Sequence, residues 1–280
     1  MEAASALEKL RKFQLADPFQ YCLRWLQAAV AGGAISFNWQ SSRTQVTVEM
    51  EGFVLDPERI SQLPRLLLDP NAPRAEQHLS AGLNAAIRTE MSTVRLRSGN
   101  TVVTWTPAGF QSEYKEMGLQ GTKLELNRGS GHNFWHILGR SRDREQKYLH
   151  SQAACAPLSL GIQGSAPERR LPRGEELGGN HEHWEPACSG GFRPPHCSRG
   201  RRYPDRCALY CSDLDPRRPH SLLFPIRDGV LLPVEEIHPG KQGKLFLVDV
   251  SLLKTDLTGL QLVHDQAYQE MVAGLLHYLG

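Results

Sequence analysis

The chain has 280 residues, 40% of them hydrophobic, with 32 basic and 30 acidic side chains and a formal net charge of +2. That length allows two modest domains, each burying its own core. A charge so near balance provides no global basic field for nucleic acid or a membrane surface, and no apolar run approaches the ~20 residues that span a bilayer. Residues Met1 to Arg11 lack a basic-then-apolar leader pattern, which makes the cytoplasm the expected compartment. Six cysteines in a chain of this size read as reduced thiols or, for some, a metal site, and not as a disulfide framework.

Asp17 to Val30 reads as a helix: Asp17 caps it, Pro18 suits its first turn, and Phe19, Leu23, Leu26 and Val30 recur at helical spacing. Gly32-Gly33 stops it. Ala34 to Trp39 and Gln45 to Phe53 carry the β-branched and aromatic content of strands. Asp56-Pro57-Glu58 opens a second helix with Ile60, Leu63, Leu66 and Leu67 apolar, and Pro64 inside it predicts a short or kinked element. Arg74 to Glu90 is helical again, with Leu79, Leu83, Ala86 and Ile87 on one face.

Thr93 to Arg97 and Thr101 to Thr106, joined by Ser98-Gly99-Asn100, predict a β-hairpin. Gly121-Thr122 leads into a strand over Lys123 to Asn127. Phe134 to Ser151 reads as helix, and Ala156-Pro157 precedes a strand over Leu158 to Gly164. Residues 165 to 206 hold six Gly, six Pro and eight Arg, a composition with too little apolar area to offset the entropy of ordering, so a linker or insertion is expected. Strands then follow at Cys207 to Tyr210, Leu222 to Ile226, Val230 to Val234 and Leu245 to Val250. A last helix covers His264 to Tyr278, with Ala267, Met271, Leu275 and Tyr278 on its apolar stripe.

The run Arg24-Trp25-Leu26-Gln27-Ala28-Ala29-Val30-Ala31-Gly32-Gly33-Ala34 resembles the first motif of the gyrase/HtpG/histidine-kinase/MutL (GHKL) ATPases. There a helix reads roughly Arg-Glu-Leu-Ile-Gln-Asn-Ala-x-Asp-Ala-Gly-Ala. In that family the Glu activates water and the Asn holds the Mg²⁺ that bridges the phosphates. Aligned on Gln27, Ala29, Gly33 and Ala34, the Glu position is Arg24, the Asn position Ala28 and the Asp position Ala31. An Arg stays protonated and cannot take a proton from water. Losing a positioned base costs roughly 10²–10⁴-fold in rate, and losing the metal ligand removes charge stabilisation as well. The resemblance therefore implies the fold and argues against the hydrolase reaction.

Over about residues 15 to 165 the element order matches the family's Bergerat domain, an α/β sandwich with a mixed sheet covered by helices on one face. HtpG-type chaperones look closest. The family's Asp-x-Gly-x-Gly motif, whose Asp binds the adenine amino group, corresponds to Val48-Glu49-Met50-Glu51-Gly52-Phe53, where Glu49 or Glu51 is the acceptor on offer. Strand-end glutamates facing solvent are the bland reading of the same residues. The Gly-rich phosphate lid has no match between Asp69 and Leu83: Pro70 and Pro73 lack N–H groups and only Gly82 is present. Gly121-Thr122 matches the Gly-Thr pair whose hydroxyl supports the adenine-binding Asp, or is a turn glycine entering a strand.

A second constellation lies downstream. His181, His183, Cys188, His196, Cys197, Cys207 and Cys211 crowd together, and only Cys207-x₃-Cys211 has structural-zinc spacing. A zinc clamp over Cys188, Cys197, Cys207 and Cys211 stays open beside unligated loop residues. Cys22 and Cys155 read as buried thiols, and Phe192 and Tyr203 in the Arg-rich stretch as parts of a solvated loop.

These observations lead to an α+β chain: a Bergerat-type two-layer sandwich over 1–165, a Gly/Pro/Arg-rich linker over 166–206, and a small α+β region over 207–280. The expected activity is non-catalytic binding or scaffolding, with a protein partner and neither membrane nor nucleic acid. No cofactor is expected. Two alternatives stay open: ATP or ADP binding through Glu49, Glu51, Gly52, Gly121 and Thr122, and the zinc-clamped interaction module.

Overall fold

The structure is a computed structural model. It describes residue 15 and residues 17–167 apart from 68, 70, 88, 90, 107–108 and 129–143, then 209–213, 220–237, 244–256 and 258–277. The chain divides into two compact units, Met1–His150 with Leu158–Glu168, and Ser151–Pro157 with Arg169–Gly280. The segment 151–157 thus joins the second unit, although the sequence expectation ran the first domain through 165 without a break. None of the helices among the described residues is long and apolar enough to cross a membrane.

Unit one opens as its caps dictate. Asp17 accepts the Phe19 N–H at 3.0 Å and Pro18 enters a 3₁₀ turn, Pro18–Gln20, before helix α1, Tyr21–Ala31. The expected single helix is therefore a 3₁₀ turn followed by an α-helix. Gly33, at φ +74°, ends it in a conformation that favours glycine. Strands β1, Ser36–Ser41, and β2, Gln45–Glu51, pair antiparallel.

Asp56 caps α2, Pro57–Ile60, and a separate turn α3, Leu63–Leu66, restarts with Pro64 in its first turn. The proline lacks an N–H to continue the previous helix, which is why the expected element is two single turns. Helix α4, Arg74–Ile87, follows, and Arg59 on α2 is ion-paired to its Glu76 at 2.5 Å.

The expected hairpin at Ser98-Gly99-Asn100 is not one. Strand β3, Met91–Thr106, runs straight through it and pairs with β4, Gly109–Arg128, along its length. The signal marks a bulge: the register shifts on both sides of Gly99, with Gly99 at φ +54° and Gly118 opposite at φ +56°. Asn100 Oδ1 accepts the Gly118 N–H at 2.9 Å, replacing a ladder bond there. The Gly121-Thr122 strand is the second half of this long β4. A helix α5 is described over 144–152, inside the expected 134–151, and β5, Ser159–Ile162, pairs parallel with β1.

The sheet order is β3-β4-β2-β1-β5, with one parallel pair and the rest antiparallel. Unit one is a two-layer α/β sandwich with a mixed sheet, the architecture expected. Phe37, Trp39, Val46, Val48, Met50, Leu124, Leu126, Val94 and Leu96 are buried on the side facing the helices. Tyr21 and Trp25 of α1 meet Trp39 of β1 with ring centroids 5.9 and 6.3 Å away, and each other at 4.6 Å. The alternate residues, Asn38, Glu49, Lys123 and Arg97 among them, share the other face by register.

Unit two is a smaller mixed sheet. Its order is β6 (Leu209–Asp213), β10 (Lys244–Asp249), β7 (Ser221–Arg227), β8 (Val230–Leu231), with β9 (Glu235–Ile237) also on β7. Its core gathers Ala154, Cys155, Leu222, Phe224, Ile226, Leu231 and Leu247. The last helix, α6, covers Gln266–His277. There Tyr268 is buried at 8% exposure and Ala267 is exposed, so the apolar stripe lies one residue later than expected at that end.

Candidate functional site

The positions aligned to the family's catalytic pair lie on α1, and both are buried. Ala28 is fully buried and Arg24 is 5% exposed, its Nη1 donating to Gln27 Oε1 at 2.7 Å. An Arg on a helix flank is ordinarily exposed, and this one is not. Burying a guanidinium is costly unless its donors find partners inside the protein, and Gln27 supplies one.

The neighbouring glycines show the same filling. A Cβ on Gly32 would lie 2.3 Å from the Phe53 ring, and one on Gly82 2.4 Å from Trp25. Gly82, the lone glycine in the region of the expected lid, sits inside α4 with the Trp25 indole pressed on its backbone. Its role is close helix packing of α4 on α1, and it supplies no phosphate cradle. Pro70 lies outside the described residues.

Thr122 is 1% exposed and its hydroxyl donates to the Phe53 carbonyl at 2.6 Å. That bond uses its only proton, so in the 2.8 Å contact with Ser98 Oγ the serine is the donor. Ser98 in turn accepts the Leu55 N–H at 2.8 Å. The two hydroxyls pin the segment after Gly52 to β3 and β4. Gly52 itself is at φ +81°, and Gly121 brings β4 so near β2 that a Cβ there would lie 2.5 Å from the Met50 carbonyl oxygen.

Glu49 and Glu51 are on the open face, away from α1, because β2 alternates Val46, Val48 and Met50 inward. Glu49 is ion-paired to Lys123 at 2.7 Å, and Glu51 accepts the Ser36 hydroxyl at 3.1 Å. The five residues considered for a nucleotide base thus divide. Glu49, Glu51 and Gly121 share the open face; the Thr122 hydroxyl is on the helix side; Gly52 is the turn between. Both Glu49 and Gly121 border a cavity of about 700 Å³ that also touches Ser36, Asn38, Arg97 and Lys123.

Cys188, Cys197 and Cys207 lie outside the described residues, as do His181, His183 and His196. The Cys211 backbone is in β6 opposite Phe246. Among the described residues there is no cluster of three His, Cys, Asp or Glu fit for a metal ion. Cys22 and Cys155 are buried thiols outside any disulfide, and burial pushes the Cys22 thiol well above its ordinary value, Glu145 adding to the shift.

Sequence reasoning missed a buried polar network. Glu145 on α5 is fully buried and accepts from Tyr21 Oη at 2.5 Å and Arg128 Nη2 at 2.8 Å, with Ser41 Oγ at 3.5 Å. Burial raises the Glu145 carboxyl above its ordinary value, and Arg128, Tyr21 and Ser41 draw it part of the way back. Burial likewise raises the Tyr21 hydroxyl, with Glu145 adding to the rise. The network joins α5, α1, β1 and β4. Its one sequence signal is Tyr21, a hydroxyl-bearing residue on an otherwise apolar helix face.

No protein-family model and no curated protein matches the sequence. Among solved structures, the chain is similar to the ATPase domain of the bacterial mismatch repair endonuclease MutL from Aquifex aeolicus. The two share 10% identity over 93% of this chain and 98% of that one, with a TM-score of 0.42.

Proposed function

We propose that unit one is a degenerate GHKL domain, closest to the HtpG-type group, that works as a binding or scaffolding protein without hydrolysing ATP. The observation carrying this is the state of the α1 face. Where the family needs a carboxylate and an amide open to Mg-ATP, this chain has a buried guanidinium engaged with Gln27 and a buried methyl group. Arg24 cannot act as a base at physiological pH, and Ala28 has no atom to ligate a metal. Thr122, the retained family residue, spends its hydroxyl on Phe53 and Ser98. With neither a base nor a metal ligand at these two positions, the family's means of activating water and of carrying the charge of a transferring phosphate is missing there.

The test is Mg²⁺-dependent phosphate release from ATP by the purified full chain. The expected result is release no greater than that of a no-enzyme control. Release above that control that persists in Arg24→Ala would overturn the reading.

A further inference from the structure

A groove runs over the open face of the sheet in unit one. Its first part is the cavity of about 700 Å³ beside Asn38, Glu49 and Lys123; its second, of about 510 Å³, lies beside Ile35, Gly52, Val54 and Gly118. Glu51, Leu119 and Gln120 belong to both, which makes the groove continuous. This is the size range of small-molecule sites.

The hollow has a backbone cause. Gly121 faces Glu51 in the ladder and puts no side chain on this face, while Gly52, Gly99 and Gly118 hold turns at positive φ without a Cβ. The two ends differ in chemistry. Ile35 and Val54 are 55% and 51% exposed and line the second part together, an apolar pair left in water. At the polar end both cations are committed: Lys123 to Glu49 at 2.7 Å and Arg97 to Glu125 at 2.9 Å. Glu51, at the junction, accepts one hydroxyl from Ser36 and has no cationic partner among the described residues.

We propose that this groove binds a ligand with a primary ammonium head and a short apolar body. The head sits on the Glu51 carboxylate, where a charge-assisted hydrogen bond meets the one lining acid with no cation. The body covers Ile35, Val54 and Leu119, removing apolar surface from water. A free amine and the N-terminus of a peptide beginning with an apolar residue share this chemistry. The site lies on the face opposite Arg24 and Ala28; it shares Glu51, Gly52 and Gly121 with the residues considered for a nucleotide base, and probes without base or phosphate test it separately.

The test is an amide-resolved NMR titration of the full chain with four probes: phenethylammonium, 3-phenylpropionate, Phe-Gly-Gly amide and its N-acetylated form. The expected result is saturable shifts at Gly52, Gly118 and Gly121 with a free-amine probe, and none with the carboxylate or the acetylated peptide. Response to phenethylammonium alone assigns a small amine, and response to the free peptide alone assigns a chain N-terminus. Glu51→Gln should weaken binding about tenfold or more, because the amide oxygen still accepts but without the charge that strengthens the bond. Glu58→Gln, an exposed carboxylate on α2, should leave it unchanged. Absence of shifts at these glycines, equal response to 3-phenylpropionate, or unaltered affinity in Glu51→Gln overturns the proposal.

Discussion

Replacing Glu145 with Ala tests how unit one is held together. Glu145 has no exposed surface, and its partner Arg128 has a side chain only 7% exposed. Removing one member of a buried pair leaves the other charged in a site without water, a loss of about 3–5 kcal/mol. Replacing both with apolar residues, Glu145→Leu with Arg128→Met, leaves no stranded charge and should recover much of that loss. Urea unfolding followed by fluorescence of the buried Trp25 and Trp39 reports on this unit, since Tyr21, a direct Glu145 partner, packs edge-on to Trp25 at 4.6 Å.

The pH dependence carries a definite sign. The native carboxyl is raised above its ordinary value of 4.5, so the folded protein holds that proton more tightly than the unfolded chain does. The stability this contributes is fully present below the ordinary value and is lost as pH rises through the raised native one. The stability of the wild type minus that of Glu145→Gln should therefore fall from acid toward neutral pH. A loss in Glu145→Ala below about 1 kcal/mol, the scale of an exposed pair, would refute the buried-network reasoning. So would a stability difference that rises with pH.

Three further substitutions probe the helix face. Thr122→Val strands the Phe53 carbonyl and the Ser98 hydroxyl, and should cost about 1–3 kcal/mol in the same urea assay. Gly82→Ala drives a methyl group into Trp25; overpacking of about 1–3 kcal/mol is reduced by about 1 kcal/mol of helix propensity, and the midpoint should still fall. Arg24→Glu with Ala28→Asn restores the family's residue types but not an open pocket, so phosphate release should stay at background. A gain of Mg²⁺-dependent release would show that side-chain identity, and not closure of the face, is limiting.

The parts of the fold that depend on local rules were legible in the sequence. Asp17-Pro18 and Asp56-Pro57 mark helix starts in both readings, and the alternation from Gln45 to Glu51 gives the strand and its two faces. Ser98-Gly99-Asn100 misled because a glycine at positive φ serves a turn and a bulge equally; only the pairing partner, with Gly118 across the ladder, decides between them. The open-face placement of Glu49 and Glu51 follows from period two once Val48 and Met50 are assigned inward. The burial of Arg24 and Glu145 was not legible, because charged residues are ordinarily exposed. Nothing local to residue 145 announces the partners that Tyr21, Ser41 and Arg128 bring from three distant strands and helices.

The central claim is that the α1 face is closed to nucleotide. Its most direct test is the thermal and urea stability of the full chain with ATP or ADP at millimolar concentration, with and without Mg²⁺. A ligand present at a hundred times its dissociation constant stabilises the native state by about 2.7 kcal/mol. The account predicts no change in stability at any of these conditions. A concentration-dependent stabilisation approaching that size, abolished by Thr122→Val or Arg24→Ala at matched fold, would contradict it.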